Sequence, residues 1–267
     1  MLDSATIDVI ARAYDAAEKT KQRIRPPSVQ YEGFTIEDAY AVQRRWVALK
    51  VAAGNEIKGH KIGLTSRAMQ RQANINEPDY GALLADMFYS GGAEIPMSRF
   101  IQPRLECELG FVIGRRLKGP NCTIFDVLSA TDYIVPAAEI VDGRAHRVDP
   151  DTGKPRCVLD SIADNAGNAA LIIGGRPFKP MDVDLRWVSV LCHRNNVIEE
   201  SGVAAAVLNH PANGVAWLAN KLAPFDIALE PGQFVLGGSF TGVVEARAGD
   251  VFHIDYGPLG TISSRFV

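Results

Sequence analysis

The stretch PRLECELGFVIG, Pro103 to Gly114, reads as a β-strand from its two-residue alternation. Leu105, Cys107 and Leu109 take one face, and Glu106 and Glu108 project together on the other. Carboxylates that close repel unless something positive lies between them. A third, Glu139, lies in the apolar run IVPAAEIV, where a lone ionised side chain is costly to bury. Three oxygen donors converging from two strands suit a hard divalent cation, Mg²⁺ or Mn²⁺, with coordination positions open for substrate and water. The plain alternative puts Glu106 and Glu108 on the wet face of an edge strand and pairs Glu139 with an arginine. The third carboxylate in an apolar strand favours the cation. Cys107, alternating with the glutamates, is expected in the core.

Around that strand the chain is ordinary for a soluble globular protein. Its 267 residues suffice for one large domain, or one domain with a small cap, and 47% are apolar and 22% charged. The net charge of −3 comes with no basic stripe, so no nucleic-acid partner is expected. No apolar run approaches a membrane span, and the charged N-terminal stretch lacks a signal-peptide pattern. Four singly spaced cysteines point to reduced thiols in a cytoplasm.

Helical spacing of Ile7, Ile10, Ala11, Tyr14 and Ala17 predicts a helix over residues 6–23, ended by Arg25-Pro26-Pro27-Ser28. Thr35 caps a second, with Ala39, Val42, Trp46, Leu49 and Val51 as its apolar stripe and Gly54 as its stop. GHKIGLT reads as a short strand, SRAMQRQANI as a brief helix and NEPDYGALLADM as a loop. Beyond residue 80 short strands and turns dominate, with a hairpin turn at Asn195-Asn196 and one late helix opened by Pro211. The expected class is α+β: a helical N-terminal region, 1–75, attached to a β-rich domain, 76–267.

In their order along the chain, GHKIGLTSRAMQ, EPDYGALLADMF, PRLECELGFVIG, DYIVPAAEIVD, DNAGNAALIIGG, LNHPANGVAWLANKLA and the closing LGGSFTG and GDVFHIDYGPLGTISSRF resemble the 2-hydroxypentadienoate hydratase and 4-oxalocrotonate decarboxylase family. That family belongs to the fumarylacetoacetate hydrolase superfamily. The resemblance implies a mixed β-roll core, a bound Mg²⁺ with Mn²⁺ as the other candidate, and a high-order homo-oligomer such as a decamer. It carries Glu106, Glu108 and Glu139 over as metal ligands and places Lys61 and Asp79 at the active site. The implied substrate is a 2-oxo dicarboxylate, the seven-carbon 2-hydroxy-2,4-dienoic diacid of homoprotocatechuate (4-hydroxyphenylacetate) breakdown. Hydration and decarboxylation both fit the metal cradle. A carbon–carbon hydrolase is disfavoured because no local His–acid pair is found, and a non-catalytic subunit would not need these charged residues.

Such a substrate needs an acid/base. Lys61 is the first candidate, its pKa expected to fall through burial and a nearby cation. Asp79 pairs with Lys61, orients water or forms a turn. His60, next to Lys61 on an extended segment, points the other way and is expected to be structural. Backbone N–H groups of the loop Gly63-Leu64-Thr65-Ser66 suit the substrate's C1 carboxylate, with helix capping as the alternative or additional duty. Ser161 and Thr241 are further substrate-binding candidates; turn or cap duty is expected of Asp164. Arg67 and Arg71 share a helix face and are candidates for the distal carboxylate, solvent exposure being the alternative. His146, His193, His210 and His253 are expected to be structural or solvated, and no GxGxxG follows a strand.

Overall fold

A computed structural model describes residues 1–267. In chain order the elements are α1 (Ser4–Thr20), α2 (Pro27–Gln30), α3 (Ile36–Ala52), β1 (Ile57–Gly63), α4 (Arg67–Gln72), β2 (Asp79–Leu84), β3 (Phe88–Ser90), β4 (Glu94–Ile95), β5 (Arg104–Ile113), α5 (Ile124–Ala130), β6 (Thr131–Val141), α6 (Val158–Ala163), β7 (Asn168–Ile173), β8 (Ser189–Arg194), β9 (Val197–Val203), α7 (Pro211–Leu222), β10 (Phe234–Leu236), β11 (Val244–Glu245), β12 (Val251–Asp255) and β13 (Thr261–Phe266). Eight strands form a mixed sheet in the order β2-β1-β10-β5-β6-β7-β3, with β11 also on β5; a five-stranded sheet runs β4-β13-β12-β8-β9.

The decisive strand, β5, lies between β10 and β6 and is no wet edge. Its long antiparallel ladder with β6 sets Glu106 directly opposite Glu139 and Glu108 opposite Ala137. Leu105, Cys107 and Leu109 are buried on the other face, as expected. Parallel pairing of β1 with β10 puts Lys61 opposite Leu236, and antiparallel pairing with β2 puts Gly63 opposite Asp79. One strand of the 1–75 stretch therefore lies inside the larger sheet.

Several local expectations shift. The first helix stops at Thr20, where Lys21 adopts a left-handed φ of 60°, and Pro27 opens α2 instead of ending α1. The second helix has a capping box between Thr35 and Asp38 and ends before Gly54 (φ 95°), but Val51 is exposed. NEPDYGALLADM contains a buried strand, β2, because its backbone groups pair with β1. The hairpin turn is made by Asn195 and Asn196, both at positive φ, as two-residue connections favour. Helices α5 and α6 lie in segments with no clear helical stripe. Sixty-one residues form one hydrophobic core that joins α1 and α3 to both sheets. No helix is long and apolar enough to cross a membrane.

Candidate functional site

Glu106, Glu108 and Glu139 converge. One oxygen from each lies within 4.8 Å of the others, and Glu108 and Glu139 are fully buried. Each of those two has one committed oxygen and one left over. Glu108 Oε2 accepts from Gly238 N at 2.9 Å, while its Oε1 has no partner. Glu139 Oε1 accepts from Asn168 Nδ2 at 2.7 Å, while its Oε2 has none. Buried carboxylate oxygens without partners carry the full cost of desolvation. A hard cation between them offsets that cost, and an all-oxygen donor set fits Mg²⁺ or Mn²⁺. The acids' own charges tell the same way. Burial, then the facing charge of Glu139, pushes Glu106 up to about 7, and burial and Glu139 push Glu108 well above the usual carboxylate range.

Lys61 joins the trio from β1. Its Nζ donates to the Ala166 carbonyl at 3.0 Å and lies 3.4 Å from Glu139 Oε1. The expected fall in its pKa is reversed by the protein's own charges. Burial works to lower it, but Glu139, Asp79, Glu106 and Glu108 together hold the ammonium above its ordinary value. Asp79 is buried, its Oδ1 has no partner, and burial raises its pKa despite the neighbouring lysine. The two side chains meet over Gly63, where a Cβ would fall 2.3 Å from Asp79 Oδ1 and 2.9 Å from Lys61 Nζ. Gly63, which opens the turn expected to hold the C1 carboxylate, is thus also the point where Lys61 and Asp79 meet. His60 faces away, and burial drives its imidazole down to about 4, which keeps it neutral.

The turn after β1 touches the cradle indirectly. Leu64 adopts φ 54°, and buried Thr65 packs where a side chain on Gly238 (φ 114°) would sit, 2.5 Å from Thr65 Oγ1. Gly238 is the residue whose N–H holds Glu108, so this close approach fixes the ligand. Ser66 caps α4 through Met69 N at 3.2 Å. Thr241 accepts from Cys107 N at 3.2 Å, pinning the strand between the two glutamates. Ser161 is half-buried on α6. Arg67 and Arg71 are exposed on α4 with no ion pair, and no contact ties them to the carboxylates.

The segment Asp164–Asn168 holds residues whose roles the sequence reading missed. Asp164 stands at the C-cap of α6, as expected, its N–H donating to Asp160 O at 3.1 Å, but its side chain has a second role. It pairs with buried Arg144, Nη1 to Oδ1 at 2.8 Å, and also accepts from Arg144 N at 2.6 Å. Asn165, Ala166 and Gly167 then run at positive φ of 52°, 51° and 74°. Asn165 pairs with both N and O of Ala82 at 2.8 and 2.9 Å, which turns the Ala166 carbonyl to Lys61 and brings Asn168 to Glu139. Asn and Gly in DNAGN are the residues that tolerate left-handed backbone, and that was the available signal.

The chain resembles known proteins over its full length. It is 62% identical over 267 residues, covering 100% of both chains, to the 2-oxo-hept-4-ene-1,7-dioate hydratase of Escherichia coli. It is 36% identical to a 4-oxalocrotonate decarboxylase of Pseudomonas putida, covering 100% of this chain and 98% of that one. The solved 4-oxalocrotonate decarboxylase of Pseudomonas putida G7, complexed with magnesium and adipate, superposes with a TM-score of 0.94 at 34% identity, covering 100% of this chain and 99% of that one. Residues 51–267 match the fumarylacetoacetate (FAA) hydrolase C-terminal family model, and the chain belongs to the fumarylacetoacetate hydrolase family.

Proposed function

We infer that this protein is a metal-dependent hydratase that converts 2-oxo-hept-4-ene-1,7-dioate to 4-hydroxy-2-oxoheptanedioate in 4-hydroxyphenylacetate breakdown. The end-to-end identity of 62% with the E. coli hydratase carries this reading. Glu106, Glu108 and Glu139 would hold the ion, Mg²⁺ first and Mn²⁺ second. When bound, the ion supplies Lewis acidity toward the substrate's 2-oxygen.

The chain's own residues supply the rest. Lys61, held as an ammonium between Ala166 O and Glu139, would deliver a proton to C5 of the dienol as the 2-hydroxyl gives up its own, which gives the α,β-unsaturated ketone. Asp79, its carboxyl biased toward the neutral form by burial, would orient the water that adds at C4, the water's proton passing to the Lys61 amine left by the first step while C3 takes up the proton released from the 2-hydroxyl. The Leu64-Thr65-Ser66 turn is the proposed contact for the C1 carboxylate, with Ser161 and Thr241 as outer candidates. Burial of Lys61, Asp79, Glu108 and Glu139 keeps bulk water from competing for the same protons. Exposed Val197 and Ile198 on the outer strand β9 support a homo-oligomer.

A decarboxylase is the second reading, favoured by the TM-score of 0.94 to such an enzyme. One assay separates them. Purified protein with Mg²⁺ is given enzymatically generated dienols of five, six and seven carbons. Loss of ultraviolet absorbance reports turnover, and mass analysis reads gain of water against loss of CO₂. Loss of CO₂ from the seven-carbon diacid overturns the hydratase reading.

A further inference from the structure

Three arginines beside the cradle have no carboxylate partner. Arg104 lies two residues before Glu106 on β5, so its side chain leaves the sheet on the same face as Glu106 and Glu108. It pairs across the ladder with Val141, next along β6 on that face from the Glu106–Glu139 pair. Its Nε is buried and lacks any hydrogen-bond partner. Arg156 lies over the end of β6: its Nη1 is 2.6 Å from where a Cβ on Gly143 would stand, and its one bond is a long 3.4 Å contact to Ala145 O. Arg147 is exposed on the same loop and forms no ion pair. Arg147 and Arg156 lie close enough to Arg104 for their charges to act on it.

The acids around this cluster are committed elsewhere. Asp149 and Asp151 bind Arg25 at 2.7 and 2.8 Å, which clamps the 143–157 loop to the segment after α1. Asp142 accepts from Ile101 N at 2.6 Å and Gln102 N at 2.9 Å. The loop is therefore built, held, and left with surplus positive charge at the outer end of the cradle. Two residues along a strand span roughly 6.8 Å, comparable to the length of a seven-carbon chain.

The geometry points to Arg104, with Arg147 and Arg156, as the site for the distal carboxylate of a dicarboxylic 2-oxo acid whose C1 end lies at the Glu106–Glu108–Glu139 cradle. This rests on the 2-oxo diacid reading above and deepens it: the cluster sets chain length and charge preference. Guanidinium forks suit carboxylates in bidentate geometry, and a buried Nε without a partner is a donor in waiting.

Binding tests it apart from turnover. Affinities of the saturated analogues 2-oxoheptanedioate and 2-oxopentanoate are measured by calorimetry with Mg²⁺ present, for the native protein and for Arg104→Gln, Arg104→Lys, Arg147→Gln and Arg156→Gln. The preference for the diacid should fall at least ~10-fold in Arg104→Gln, the loss of one charge-assisted bond, and less in Arg104→Lys. Arg147 is exposed, so Arg147→Gln keeps the test open if the β5 variants fold poorly. An unchanged preference in all four, or a loss in Arg67→Gln or Arg71→Gln instead, overturns the assignment. The five- and seven-carbon dienol assay then reports separately whether the protein hydrates either substrate, so a failure of the hydratase reading shows there and not in the binding ratio.

Discussion

Two buried clusters of charge lie side by side, and they are finished differently. In the first, Arg144 and Asp164 saturate one another: both Asp164 oxygens accept from Arg144, and Arg144 Nη2 donates to Asn168 O at 2.9 Å. The guanidinium also lies 5.3 Å over the Trp46 ring. In the second, Glu108 and Glu139 each keep a free oxygen beside Glu106. Asn168 bridges the two, taking Arg144 on its carbonyl and giving its amide to Glu139. A saturated buried pair holds shape, whereas an unsaturated one is held ready for a ligand. Buried charge alone does not mark a site; unfilled valence does.

The sharpest way to break this contrast is to neutralise one member of each cluster. Glu108→Gln should cost about 10³-fold or more in turnover at limiting Mg²⁺, because a Lewis acid is worth several kcal/mol. In chelator the same variant should melt no lower than the native protein, since it removes carboxylate repulsion. Asp164→Asn should do the reverse for stability, losing roughly 3–5 kcal/mol in denaturant melts by stranding Arg144. Equal destabilisation by both substitutions would erase the distinction.

Lys61→Ala tests the proton role within the unsaturated cluster. Turnover should drop roughly 10²–10⁴-fold while binding of a 2-oxo acid analogue changes far less. A loss confined to KM would make Lys61 a carboxylate binder. Gly63→Ala probes the same meeting point through space alone. Its added Cβ collides with Asp79 Oδ1, so stability should fall by about 1–3 kcal/mol, and activity should fall with the displaced Asp79.

Acidity acts on both clusters in the same direction, since burial also lifts Asp164 to about 6, and Glu106 gives the larger shift. Glu106 titrates near 7 in the fold against an ordinary 4.5, so the folded state binds a proton the unfolded chain lacks between those values. Its contribution to stability is present in full below about 4.5 and lost as pH rises through 7. In chelator, stability should therefore rise by up to a few kcal/mol from pH 8 to pH 5. Excess Mg²⁺ should flatten or invert that slope, since the ion needs the carboxylates ionised. A chelator series in which stability falls steadily on acidification from pH 8 to 5 would remove Glu106 as the controlling group.

Much of the site was legible because strand periodicity is local. Glu106 and Glu108 declared a common face, and Glu139 stood out as a charge in an apolar run. Lys61 and Asp79 came from resemblance, since nothing in the period of HKIG or EPDY singles them out. The strand under Asp79 was hidden by Pro78 and Gly81, which read as turn residues; its pairing with β1 decides it. Arg144 and Asp164 lie twenty residues apart, and only the tertiary fold brings them together. Arg104 was in plain view inside the decisive strand, on the glutamates' face, and its meaning appeared only with the partnerless Nε.

Thr241 gives the smallest and finest test. Its Oγ1 accepts the N–H of Cys107, the residue between the two β5 glutamates. Its own N–H bonds Ser239 Oγ at 3.2 Å, so the side chain completes a turn laid along β5. Thr241→Val keeps the volume and removes the acceptor, leaving a partly buried N–H unpaired. That should cost on the order of 1 kcal/mol of stability. If Thr241 acts only by pinning the strand, Mg²⁺ affinity should weaken slightly and kcat at saturating Mg²⁺ should stay within about twofold. If it also touches substrate, KM should rise at saturating Mg²⁺ while the melting curve moves no further. Serine at the same position restores the acceptor without the methyl group, so Thr241→Ser should recover the stability lost by valine. Failure of that rescue would mean that the methyl packing, and not the bond to Cys107, holds the cradle's strand in register.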